Sequence, residues 1–246
     1  MRIGAMKGLA LGALVMAAGG CSDSEMGDVR LQLAARAPAS VVSGEPGQLV
    51  VTSGTDEIVV SEAALVLRKV RLDGAPTASC PEDAEGDSPC AELRLGPVLF
   101  QLPLDEGAEP VLTAAVPVGT YGALKFQLHR PTNANEDADF VADNPDFDGI
   151  SIRVLGTYNG TDFVFASDLT EVEEVTFPEA VEVATEGELP LTLLVDVAGW
   201  FANEAGTGLV NPDEANDGGP FESLVERQIR ESFRAFHDGD VDGAAD

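Results

Sequence analysis

The sequence predicts a mainly β protein: an antiparallel β-sandwich of about 8–10 strands with one C-terminal amphipathic helix. Three observations carry this. Short alternating or β-branched apolar runs recur along the chain, separated by turn formers, among them 26 Gly and 15 Pro in 246 residues. Helical periodicity is almost absent before residue 199. After Pro220 the pattern changes to a single apolar helical face.

Taken in order, the chain opens with MRIGAMKGLALGALVMAAGGC (1–21). Arg2 and Lys7 form a positive start, and Gly8 to Gly20 is an uncharged run of 13 residues. A bilayer core needs about 20 residues, so this run is too short to span it, but it suits an export signal. Ala18, Gly19 and Gly20 lead directly into Cys21. This resembles the bacterial lipobox, with Ala18 where Leu is usual. The resemblance implies that 1–20 is a signal peptide, that Cys21 is acylated, and that the chain is anchored in a membrane by lipid. Ser22, in place of the Asp that retains such proteins at the inner membrane, implies the outer membrane, on its periplasmic or cell-surface face.

Residues 21–27 read as a tether and 28–201 as the sandwich domain. Strands are expected near 28–35, 48–53, 57–72 (two strands, or one with a bulge), 92–103, 110–115, 122–129, 150–158, 162–167, 172–184 and 190–198. Asn159-Gly160 is the best hairpin signal, because both residues accept the positive φ of a type I′ turn.

VPVGTYGALKFQL (116–128) resembles the strand entry of transthyretin-like and regulatory-type β-sandwich domains, with Pro117, Gly119 and Tyr121 in the marked places. In such a corner the Tyr packs its ring inward and ties neighbouring backbone through its hydroxyl. The wider order of features runs from lipobox to an acidic Cys–Cys loop, GPVLFQLPL, the Gly-x-Tyr strand, LLVDVAGWF and an acidic C-terminus. It is similar to a group of exported bacterial lipoproteins with a transthyretin-like or immunoglobulin-like sandwich. That resemblance implies a fold and no activity.

Cys80 and Cys90 bracket CPEDAEGDSPC. In an exported protein a structural disulfide is the expected state. A redox-active pair usually has CxxC spacing, which is absent here.

Residues 202–219 read as an acidic loop, 220–237 as a helix packed on the sandwich, and 238–246 as an acidic tail. Proline is favoured at the first helical position. Phe221, Leu224, Val225, Ile229, Phe233 and Phe236 fall on one helical face, with Glu226–Arg230 and Arg227–Glu231 as i,i+4 pairs on the other.

Charge excludes several functions. There are 14 Lys+Arg against 43 Asp+Glu, a net charge of −29. Removal of the leader takes two of those bases with it. No basic stripe is present for nucleic acid or anionic lipid. Two His and three Cys are too few for zinc clusters. No nucleophile-elbow or phosphate-loop motif is present. His129 reads as a strand-edge residue and Trp200 as a core anchor.

The acids are clustered. Asp238-x-Asp240-x-Asp242-Gly243 matches the start of a calcium loop, placed after a helix, with Asp246 at loop position 9 and no residue at position 12. Asn144-x-Asp146-x-Asp148-Gly149 repeats the pattern, with Leu155 where the Glu should stand. Either stretch binds Ca²⁺ weakly or is an ordinary solvated turn. Glu82, Asp83, Glu85 and Asp87, and Glu136, Asp137, Asp139 and Asp143, read as solvated acidic patches.

The expected function is therefore that of a non-enzymatic cell-envelope lipoprotein serving binding, adhesion or assembly, with a protein or glycan partner and no nucleic acid. A Ca²⁺-stabilised carbohydrate-binding module, with Trp200 or Tyr158 on an exposed aromatic strip, is one alternative. A hydrolase using paired carboxylates is another.

Overall fold

The computed structural model describes residues 25–35, 42–43, 46–74, 91–104, 108–240, 242–243 and 245. Cys21, Cys80, Cys90, Asp246 and the acids of the 80–90 loop lie outside them.

Mainly β structure in two sheets is observed, with the strands β1 (Met26–Ala35), β2 (Val42–Ser43), β3 (Leu49–Ser53), β4 (Asp56–Gly74), β5 (Ala91–Arg94), β6 (Val98–Gln101), β7 (Glu109–Pro117), β8 (Gly119–Leu128), β9 (Ile152–Tyr158), β10 (Thr161–Ser167), β11 (Glu171–Val183), β12 (Glu188–Val195) and β13 (Phe233–His237). Among the described residues two short α-helices, α1 (Ala138–Asp143) and α2 (Glu222–Glu231), accompany them. One sheet has the order β13-β12-β1-β7. The larger sheet is organised on β4, which pairs with β3, β5, β6, β8 and β9 along its length. Among the described residues every strand pair is antiparallel except β1 with β12, which is parallel.

Alternation builds the core. Val29, Leu31 and Leu33 of β1 and Leu191, Leu193 and Val195 of β12 are fully buried, as are Leu65, Leu67, Val70 and Leu72 of β4. Residues 63–67 are buried on both faces, because Phe147, Phe140 and Ile150 cover Ala64 and Val66 from outside. The 133–148 segment is thus a cover over β4 rather than a plain acidic loop. The run 57–72 is one strand with register shifts, and 92–103 is two strands broken at Gly96-Pro97. Asn159 and Gly160 take φ of 51° and 77°, as the type I′ turn requires.

The C-terminal expectation is corrected. The helix covers Glu222–Glu231, not 220–237, and Phe221 rather than Pro220 precedes its first turn. Residues 233–237 form β13, which adds to the edge of β12 with Leu193 opposite Ala235. Phe233 and Ala235 face the main core, while Phe236 packs with Ala34 and Leu194 on the outer face. Since both strand faces are covered, the apolar residues fit a helical stripe as well as a strand. The unpaired edge of β12 decides between them. The Glu226–Arg230 pair forms at 3.5 Å, while Arg227 stands 3.9 Å from Glu204 instead.

The 202–219 loop guards the other open edge. Asn216 Oδ1 accepts from Ala166 N, its Nδ2 donates to Val164 O, and Asp213 Oδ1 accepts from Val164 N. Side chains thereby satisfy the free backbone groups of β10.

Candidate metal centre

The candidate centre lies where β13 runs out. Asp238 extends the ladder by one bond, its N donating to Pro190 O at 3.3 Å. Its side chain falls on the outer face of the four-stranded sheet and is fully buried. Oδ2 accepts from Thr192 Oγ1 at 2.8 Å and from Gly243 N at 3.0 Å, and Oδ1 accepts from Asp242 N at 3.2 Å. These bonds curl the chain back on itself, and Gly243 takes the sharp turn at φ 82°. A strand, not a helix, leads into the loop, which corrects the expected helix–loop placement.

Asp238, Asp240 and Asp242 offer carboxylate oxygens that all lie within 4.8 Å of one another. Two oxygens each about 2.4 Å from one Ca²⁺ lie at most about 4.8 Å apart, so this spacing is compatible with three ligands of one ion. Asp240 and Asp242 are exposed, so solvent can supply further ligands. In the next strand Gln32 is aligned with Thr192 on the same face. Gln32 is fully buried, and neither end of its amide has a hydrogen-bond partner among the described residues.

The 144–149 stretch is arranged differently. Asn144 Nδ2 donates to Phe140 O at the end of α1, Asp148 Oδ1 accepts from Asn133 N, and Asp146 lies 4.0 Å from Arg153. The three side chains turn to three separate partners.

Other candidates resolve plainly. Trp200 is fully buried, its Nε1 donating to Ser232 Oγ at 3.0 Å, so it anchors the end of α2 to the core. Tyr158 packs half-buried against the core, and no aromatic among the described residues is among the exposed large apolar side chains. The aromatic strip expected of a carbohydrate platform is therefore missing from them. Tyr121 is buried, and its hydroxyl donates to Pro117 O at 2.7 Å, as a tyrosine corner does.

One pair went unread in the sequence. His129 is buried, and its Nε2 lies 3.0 Å from both carboxylate oxygens of Asp137. An ionised carboxylate only accepts, so Nε2 carries the hydrogen. Asp137 also accepts from Thr132 N and so clasps the cover segment to the end of β8. Asp137 is thus a buried partner, not a member of a solvated patch. A His just after a strand with acids eight residues on was the available signal.

Fold and centre together define a mostly-β protein of two sheets with a C-terminal carboxylate loop. No protein-family model matches the chain, and no curated protein matches it. Among solved structures, MbnP from Methylosinus trichosporium aligns over 72% of this chain and 78% of its own, at 11% identity and a TM-score of 0.37. A likeness that remote carries no argument about function.

Proposed function

We propose that the chain is a non-enzymatic binding module of the cell envelope, held at the outer membrane by acylated Cys21, whose C-terminal loop takes Ca²⁺. The convergence of Asp238, Asp240 and Asp242 is the observation that carries the reading. Three carboxylates at that spacing suit a divalent cation, whose charge offsets their mutual repulsion. The buried, unpartnered amide of Gln32 beside Thr192 supports it, since such a group calls for a water or an ion nearby. The loop joins β13 to the sheet, so an ion there would tie down the last strand. The lipobox-like Ala18-Gly19-Gly20-Cys21 supports the anchor.

Ca²⁺ titration of the purified chain, followed by thermal unfolding, tests the site. Millimolar Ca²⁺ should raise the midpoint, EDTA should reverse the rise, and Asp240→Asn should abolish it. No shift in the unsubstituted chain would mean that Asp238 is satisfied by its three donors alone. Cys21→Ala should move the protein from membrane to soluble fractions. Unchanged partitioning would defeat the anchor.

A further inference from the structure

Gln32 is a buried polar group that the fold itself does not account for. Leu31 and Leu33 beside it face the core, so alternation along β1 turns Gln32 to the outer face of the four-stranded sheet. The residue is fully buried there. Its Oε1 and its Nε2 both lack a hydrogen-bond partner among the described residues. An amide in that position is costly to a sheet, because both ends have left water and neither has gained a bond.

Register shows from which side the amide can be met. Gln32 is level with Thr192 of β12 on one side and Pro110 of β7 on the other. Arg30 and Ala34 share its face of β1. Ala34 packs with Leu194 and Phe236, and Pro110 brings no polar side chain. Arg30 is held by Glu188 at 3.0 Å. Among the described residues Thr192 is the polar neighbour left, and its Oγ1 donates to Asp238 Oδ2 at 2.8 Å. Thr192 and Asp238 are fully buried like Gln32. The amide therefore stands on the interior side of the candidate metal centre, with one strand between β1 and β13.

Ca²⁺ takes about 6–8 oxygens, amide carbonyls and waters among them, so three carboxylates leave several positions to fill. Asp240 and Asp242 face solvent, which fills the outer positions. The interior positions fall on the side of Thr192 and Gln32. Resting on the reading of the loop as a Ca²⁺ site, we propose that Gln32 is its interior partner, the amide oxygen accepting from a Ca²⁺-bound water. Thr192 Oγ1 donates to Asp238 and keeps lone pairs for Nε2. The ion then fastens β1 as well as β13 to β12. Held by the aspartates alone, it would fasten β13 only.

Calorimetric Ca²⁺ titration of the full chain and of three variants tests this. Gln32→Leu should weaken Ca²⁺ binding about tenfold, the scale of loss when a group behind the direct ligands is removed. Its unfolding midpoint without Ca²⁺ should hold or rise, because a buried amide without partners has gone. Gln32→Glu brings a further negative charge to the ion and should tighten binding. Gln228→Leu, on α2, removes another Oε1 that is buried without a partner among the described residues, and should keep the original affinity. Original affinity in either Gln32 variant, or a lowered Ca²⁺-free midpoint in Gln32→Leu, would overturn the proposal and leave the aspartate loop standing. No binding by the unsubstituted chain would overturn both.

Discussion

Phe233→Ala tests the strand assignment at the C-terminus most directly. Phe233 is 3% exposed, and its ring meets Phe126 of β8 edge-on at 5.1 Å between centroids and 72° between planes. The contact bridges the two sheets, because Phe233 belongs to the four-stranded sheet and Phe126 to the larger one. Truncating a fully packed Phe removes its transfer energy and leaves a cavity, at a cost of about 3–5 kcal/mol. For a chain of this size that lowers the thermal midpoint by about 10 °C. Urea unfolding followed by circular dichroism measures it. The double variant with Phe126→Leu should show a coupling of about 0.5–1.5 kcal/mol from the edge-on contact. Phe236→Ala, in a satellite cluster with only Ala34 and Leu194 as buried members, should cost less than Phe233→Ala. Equal costs, or a cost for Phe233→Ala below about 1 kcal/mol, would refute the face assignment.

Further outcomes follow from particular contacts. Tyr121→Phe deletes the hydroxyl bond to Pro117 O and should cost about 0.5–1.5 kcal/mol in urea unfolding, while an unchanged midpoint would show the corner to be idle. Gly156→Ala should destabilise by about 1–3 kcal/mol or more, since a Cβ there would stand 2.0 Å from Val59 O across the β9–β4 pair; a neutral result would contradict the register. Burial raises the carboxyls of Asp73, Glu173 and Glu226 above the ordinary range, against the opposing pull of Arg71 on Asp73 and of Arg230 on Glu173 and Glu226. Each therefore holds its proton to higher pH folded than unfolded. The folded state binds more protons in the window just above the ordinary carboxylate range, so these groups make stability fall as pH rises through it. Glu173→Gln should flatten that fall in urea unfolding measured between about pH 4.5 and 7. An unaltered slope would show that Glu173 does not contribute to it.

The sequence by itself determined the class of fold, because local pattern sufficed. Alternation along 28–35 and 190–195 placed one face inward, Asn159-Gly160 specified its turn through the φ its residues accept, and Pro117-Gly119-Tyr121 specified the corner. The excess of acid over base likewise set the expectation of a partner other than nucleic acid. The Asp-x-Asp-x-Asp-Gly spacing was equally visible, since the carboxylates of one short loop are brought together by that loop.

Tertiary structure decided the rest, because those features depend on partners distant in sequence. Residues 233–237 became a strand only because β12 offered an unpaired edge and both faces of the segment found cover. Asp137 was one acid among many until β8 brought His129 to it. Thr192 joined Asp238 across 46 residues. Gln32 stands beside Thr192 because β1 and β12 pair in parallel, and a one-residue change of register would turn them to opposite faces. Register between non-adjacent strands is a property of the packed sheet, and composition along the chain carries no record of it.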